Sequence, residues 1–179
     1  MDIKLIPFKK KSIVDKYHIV NSNNNIHKFN VCNVFASFGL QIDHKTNVKI
    51  YQHRLNICFS VNDIENNEKS YIFLKEIIDA IETYFNDVEE LKNYELISNI
   101  IKRDKHGIVI RFHLKTYKNK TITPIKHVID TLEKNVSWLD FDKNKKLNFD
   151  FTPDCLWIDH VNKKYGISLL ITDVFQFIS

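Results

Sequence analysis

The chain has 179 residues, 44% of them hydrophobic and 12% aromatic, with a net charge of +4, which is enough apolar mass for a core that folds unaided. Its three glycines and three prolines exclude a long flexible linker and a phosphate-cradling glycine loop. Its three cysteines, Cys32, Cys58 and Cys155, lie far apart and exclude a disulfide scaffold or a zinc knuckle, both of which need paired spacing.

Residues 2–7 and 17–20 predict two short strands joined through the lysines at 9–11. A polar loop, "NSNNN", leads into a long strand over 27–42, with Cys32, Val34, Ala36, Phe38, Leu40 and Ile42 on one face and Asn33, Phe35, Ser37 and Gln41 on the other. A turn at Asp43–Thr46 returns the chain into 47–61, where His53, Leu55, Ile57 and Phe59 alternate with Gln52, Arg54, Asn56, Cys58 and Ser60. The two strands form a long β-hairpin. The period then changes to three and four: Tyr71, Leu74, Ile78, Ile81 and Phe85 predict an amphipathic helix capped by Asn67. Asp87 and Glu90 read as the capping box of a second helix running to about Lys102.

Alternation resumes in "HGIVIRFHLKTY" (106–117), with Ile108, Ile110, Phe112 and Leu114 inward and Val109, Arg111, His113 and Lys115 outward. Thr123-Pro124 reads as the start of a third helix, over Ile125, Val128, Ile129 and Leu132. Three strands close the chain, at 146–151, 155–161 and 166–178. The expectation is one α+β domain over 1–179: a mainly antiparallel sheet of long hairpins with about three amphipathic helices packed on one side.

The N-terminus places apolar residues before its charges, opposite to a secretory signal, and no run approaches the roughly 18 apolar residues of a membrane span. A location in the cytoplasm or inside a host cell is expected. Abundant Lys, Ile, Asn and Phe beside three arginines (Arg54, Arg103, Arg111) point to an AT-rich genome, of the kind carried by viruses and mobile elements. Lysine content is therefore a weak guide to function.

No catalytic group, metal or cofactor is called for. The eight histidines show neither the two-residue spacing of ligands on a strand nor the four-residue spacing on a helix. Pro153-Asp154, Asp159 and Lys163 approach a metal-dependent nuclease pattern at the wrong spacing; a turn proline, a strand-opening Asp and a lysine-tipped turn explain them better, and a small metal-dependent nuclease-like enzyme is only the third reading. The expected activity is binding of another macromolecule, a protein first. Phe35, Gln52, Arg54 and Asn56 form the candidate partner surface, because they are uncharged or arginine on an outward face that bulk solvent would fill with Lys and Glu. The alternative is nucleic acid, held by loop cations Lys102, Arg103, Lys105, Lys118 and Lys120, with Tyr117 or Phe35 stacking on bases. Self-association is compatible with either reading.

Overall fold

The computed structural model describes residues 3–9, 13–45, 50–68, 71–72, 75–76, 79, 83 and 92–178, the side chains of a few strand positions such as Gln52, Ile101 and Arg103 excepted. Two long strands form its spine. β12 (Leu147–Asp159) and β13 (Lys164–Phe177) pair antiparallel from Leu147↔Gln176 to Asp159↔Lys164. β12 changes its second partner at a bulge between Pro153 and Cys155: before it lies β3 (Phe29–Lys45), and after it β2 (Val14–Asn21), itself paired to β1 (Ile3–Lys9). Proline has no amide to donate to a ladder, so a bulge is where a strand tolerates it.

β3 pairs with β4 (Ile50–Ser60), and β4 with β7 (Gly107–Leu114). β7 meets β13 in parallel at Leu170↔His113 and Ile171↔Leu114. The ring β3-β4-β7-β13-β12 thereby closes into a five-stranded barrel, antiparallel everywhere except at the β7–β13 seam. This is the connectivity of an OB-type Greek-key barrel. Its interior is filled by Phe112, Phe149 and Phe151, whose rings meet edge to face at centroid distances of 5.0 and 5.2 Å from Phe112, packed among Val31, Val34, Leu55, Ile57 and Leu147. The alternation expected for β4 and β7 is observed, with every second residue of β7 buried. In β3 the alternation slips. Asn33 takes φ 62° and Gly39 φ 69°, and the bulge at Asn33 turns Val31 and Val34 to the same interior. The backbone freed there is satisfied by side chains: Asn67 accepts from the Cys32 amide at 2.7 Å and donates to the Cys32 carbonyl at 3.0 Å, and Asn148 accepts from the Asn33 amide at 2.7 Å.

The α+β expectation with three helices is overturned. Helix α1 (Val61–Asn66) starts at Ser60, whose hydroxyl and the Asp63 carboxylate form a reciprocal capping box, and Asn67 caps its C-terminus; the Asn67 carbonyl also accepts from the Tyr71 amide at 3.0 Å, so the same residue opens the next helical stretch, as expected. Of the segment 68–85, the described residues Glu68, Tyr71, Ile72, Lys75, Glu76, Asp79 and Thr83 are helical; the others, and 87–91 of the expected second helix, lie outside the described residues. What remains of that second helix is extended: β5 (Glu95–Ile97) pairs with β13 and β6 (Ile100–Asp104) with β7. β-branched Ile97, Ile100 and Ile101 favour a strand when open edges stand beside them.

The expected third helix is also absent. β8 (Thr116–Tyr117) and β9 (Lys120–Thr121) make a small hairpin, followed by β10 (Ile125–Ile129) and β11 (Leu132–Asn135). Asp130 and Thr131, at φ 47° and 78°, form the primed turn of a two-residue β-hairpin. β10 joins β13 in parallel, so β11 is an outer edge among the described strands. Cys155 is buried and unpaired by disulfide, as are the half-buried Cys32 and Cys58; burial pushes the Cys155 thiol up from its ordinary value. Among the described residues no helix is long and apolar enough to cross a membrane.

Candidate nucleic-acid interface

Where β7 and β13 separate, the barrel needs another link. Asn99, between β5 and β6, supplies it: its carbonyl accepts from the Arg111 amide of β7 at 2.8 Å, and its side-chain amide donates to the Ile167 carbonyl of β13 at 2.9 Å. Above this staple the outer barrel surface forms an open groove of ≈ 400 Å³, running from Arg54 on β4 and Arg111 and His113 on β7 to Trp157 on β12 and Lys16 on β2.

Each of these side chains is aimed by register. Arg54 lies opposite His113 and Asn56 opposite Arg111, so the two arginines are diagonal neighbours on one face, about 7 Å apart at their roots. Trp157 faces Lys16 on one side and Gly166 on the other. A Cβ at Gly166 would stand 2.6 Å from Trp157 Cζ2 and 3.1 Å from the Ile97 carbonyl. The glycine thus lets the indole lie down on β13 and leaves its other side to the groove.

Lys16, Arg54 and Arg111 line the groove together with the carboxylate of Asp159. That carboxylate is engaged in its own turn: it accepts from the Asn162 side chain at 2.8 Å and from the amides of Val161 and Asn162 at 3.0 Å. These bonds hold its pKa below the usual value, the Asn162 side chain contributing most. The groove's far wall is pinned by His160, whose Nε2 lies 3.2 Å from the Asp15 carboxylate and whose Nδ1 lies 3.0 Å from the Tyr94 hydroxyl. A carboxylate only accepts, so a neutral ring donates from Nε2 to Asp15 and accepts the tyrosine proton at Nδ1. The contact ties β2, the β12–β13 turn and the approach to β5 together.

Of the expected partner surface, Phe35, Arg54 and Asn56 belong to the same outer sheet face, since Phe35 pairs with Cys58 two places along from Asn56. Phe35 is 39% exposed, with the Lys146 ammonium 5.5 Å from its ring centre. Asn56 is only 4% exposed and donates to the Gln41 side chain at 2.7 Å. Gln52 stands opposite Asp43; its side chain lies outside the described residues. The loop cations are not brought together. Lys102 and Arg103 on β6, with Lys105 in the following turn, lie at one end of β7, where Lys102 pairs with Asp104 at 2.8 Å. Lys118 and Lys120 lie beyond its other end, about 25 Å away along the strand. Asp154 is exposed and Lys163 sits in a turn at φ 51°, and the described residues contain no group of three or more potential metal ligands.

Lys16 and Trp157 carried no signal of a site in the sequence, because their convergence depends on β2 crossing to β12 late in the chain. Arg111 and His113 were legible as outward residues but had no partner strand to place them against.

No family model matches the chain, and no curated protein matches it. Among solved structures it is similar to a single-stranded DNA-binding protein from bacteriophage Enc34 in a C-terminally truncated form, with 14% identity, 100% of this chain and 97% of that chain covered, and a TM-score of 0.48. A likeness at that level carries no argument about function.

Proposed function

We propose that the chain binds single-stranded nucleic acid in the groove across β4, β7, β13 and β12. The observation that carries this reading is the convergence of Lys16, Arg54 and Arg111, from three separate strands, around the indole of Trp157. Cations spaced along a groove neutralise successive phosphates, and an aromatic side chain among them offers a stacking surface to any base. Stacking on Trp157 requires a base freed from its pair, which favours a single strand over a duplex. The outer face of the second and third barrel strands, here β4 and β7, is also the face that OB-type barrels use for oligonucleotides, a fold-level analogy that supports the reading without establishing it.

A protein partner would use the same Arg54, yet protein interfaces are poor in lysine, and here Lys16 joins two arginines. Binding of this kind needs no reacting group, metal or cofactor. The test is fluorescence anisotropy with a labelled oligothymidylate of about 16 nucleotides. The three phosphate contacts of the groove contribute about −2 to the log–log salt slope. Arg54→Ala and Arg111→Ala each weaken binding by more than about tenfold, and binding quenches a tryptophan emission that Trp157→Phe removes. Affinity that ignores salt, or survives Arg111→Ala unchanged, contradicts the proposal.

A further inference from the structure

The β8–β9 hairpin is not used by the groove, yet it begins where the groove stops. His113 is a groove residue, Lys115 is the next outward residue on the same strand direction, and the hairpin follows at once. Between Lys115 and Ile129 the sequence contains no Asp or Glu, while Lys115, Lys118 and Lys120 lie within six positions of one another. Tyr117 is 62% exposed, and the Lys118 ammonium lies 5.3 Å from the centre of its ring.

The hairpin is also stiff. Lys118 and Asn119, at φ 46° and 62°, form a primed two-residue turn matched to strand twist. Its base is bolted to the barrel: the Lys115 amide donates to the Thr123 hydroxyl at 2.8 Å, the buried Thr123 hydroxyl donates to the Ile171 carbonyl of β13 at 3.2 Å, and the Thr121 hydroxyl is hydrogen-bonded to the His53 ring. A solvated loop tip needs none of this anchoring.

We infer that the β8–β9 hairpin is a second contact arm for the same strand of nucleic acid, with Tyr117 stacking on a base that has left the groove and Lys118 and Lys120 meeting the adjoining phosphates. This rests on the groove reading above. Chain leaving the groove past His113 runs onto the arm, whose tip lies about 17 to 20 Å further along, so an oligonucleotide confined to the groove does not reach it.

Length dependence therefore tests the arm apart from the groove. Anisotropy titrations of the full chain with oligothymidylates of about 5 and about 16 nucleotides compare the parent with Tyr117→Ala and with Lys118→Gln/Lys120→Gln. Tyr117→Ala is expected to weaken the long oligonucleotide by at least about fivefold and leave the short one unchanged; the double lysine variant flattens the long oligonucleotide's salt slope by about 1.4. Equal affinities of parent and variants for the long oligonucleotide overturn the arm and leave the groove standing. Equal losses for both lengths also overturn it, by showing that the hairpin acts through the groove. Failure of the parent to bind either length overturns both readings.

Discussion

His53 shows how one inward position is fitted into an apolar interior. Alternation along β4 commits it to the same side as Leu55 and Ile57, and it is buried with one ring nitrogen hydrogen-bonded to the Thr121 hydroxyl. Desolvation pushes its pKa below the ordinary histidine value, because burial disfavours the charged ring. The unfolded chain then takes up the proton more readily than the folded one. The contribution of His53 to stability is accordingly complete above about pH 6.5 and is lost as pH falls toward the lowered folded value. Urea unfolding between about pH 7.5 and pH 5 should show declining stability, and His53→Gln, which cannot titrate, should flatten part of that decline. An unchanged pH slope in the variant would place the titration elsewhere. Gly166 acts by the opposite route, through the side chain it lacks: only a bare Cα lets Trp157 lie against β13, so the groove's aromatic surface depends on a residue with no chemistry of its own.

At the level of elements, β10 and β11 show why apolar spacing misled. Ile125, Val128, Ile129 and Leu132 recur at three and four, as a helix requires, but Asp130-Thr131 adopts positive φ at both positions and turns the chain back instead. A β-branched residue at φ 78° is strained, so Thr131→Gly should raise stability by about 1 kcal/mol. In a helix the same change would instead cost roughly 0.3 kcal/mol, the difference between the two residues' propensities, so the direction of the shift in urea midpoint distinguishes the two conformations. What was legible in the sequence was local. The inward and outward sets of β4 and β7 and the positions of the final strands follow from period-two alternation. Alternation could not reveal the merger of 146–151 and 155–161 into β12 through a proline bulge, the slip of β3 at Asn33, or the conversion of Leu96–Ile101 to strand, because each depends on which distant strand lies alongside. The groove suffers the same limit. Arg54 and Arg111 are visible as outward cations, but their meeting with Lys16 and Trp157 needs barrel closure.

Closing five strands into a barrel removes their edges, but the added strands create new ones at β1 and β11, and an exposed edge invites pairing with another chain. β1 carries Pro7 and a register break before Lys9, both of which spoil a ladder. β11 has neither proline nor bulge, and its first residue, Leu132, is 75% exposed, so its protection must come from charge. The Val136 amide donates to the Ile125 carbonyl at 3.1 Å, and alternation from that bond sends the backbone groups of Glu133 and Asn135 outward. Two copies meeting antiparallel across this edge can therefore align Glu133 with Glu133, Glu133 with Asn135, or Asn135 with Asn135. The first opposes two carboxylates, and the second brings Lys134 against Lys134; like charges directly opposite each other destabilise a pair. A single Glu-Lys step thus disfavours the two registers centred within the strand, although Lys126, 2.7 Å from the Glu133 carboxylate, offsets part of the first repulsion; the third register is centred on the last residue of β11 and has the least strand to pair. Sedimentation velocity should find no self-association through β11 in the parent chain. Glu133→Thr combined with Lys134→Thr keeps the strand, removes both repulsions and adds residues that suit a sheet, so it should associate as concentration rises. If the double variant associates no more than the parent, like charge is not what guards this edge, and the exposed Leu132 must be shielded in some other way.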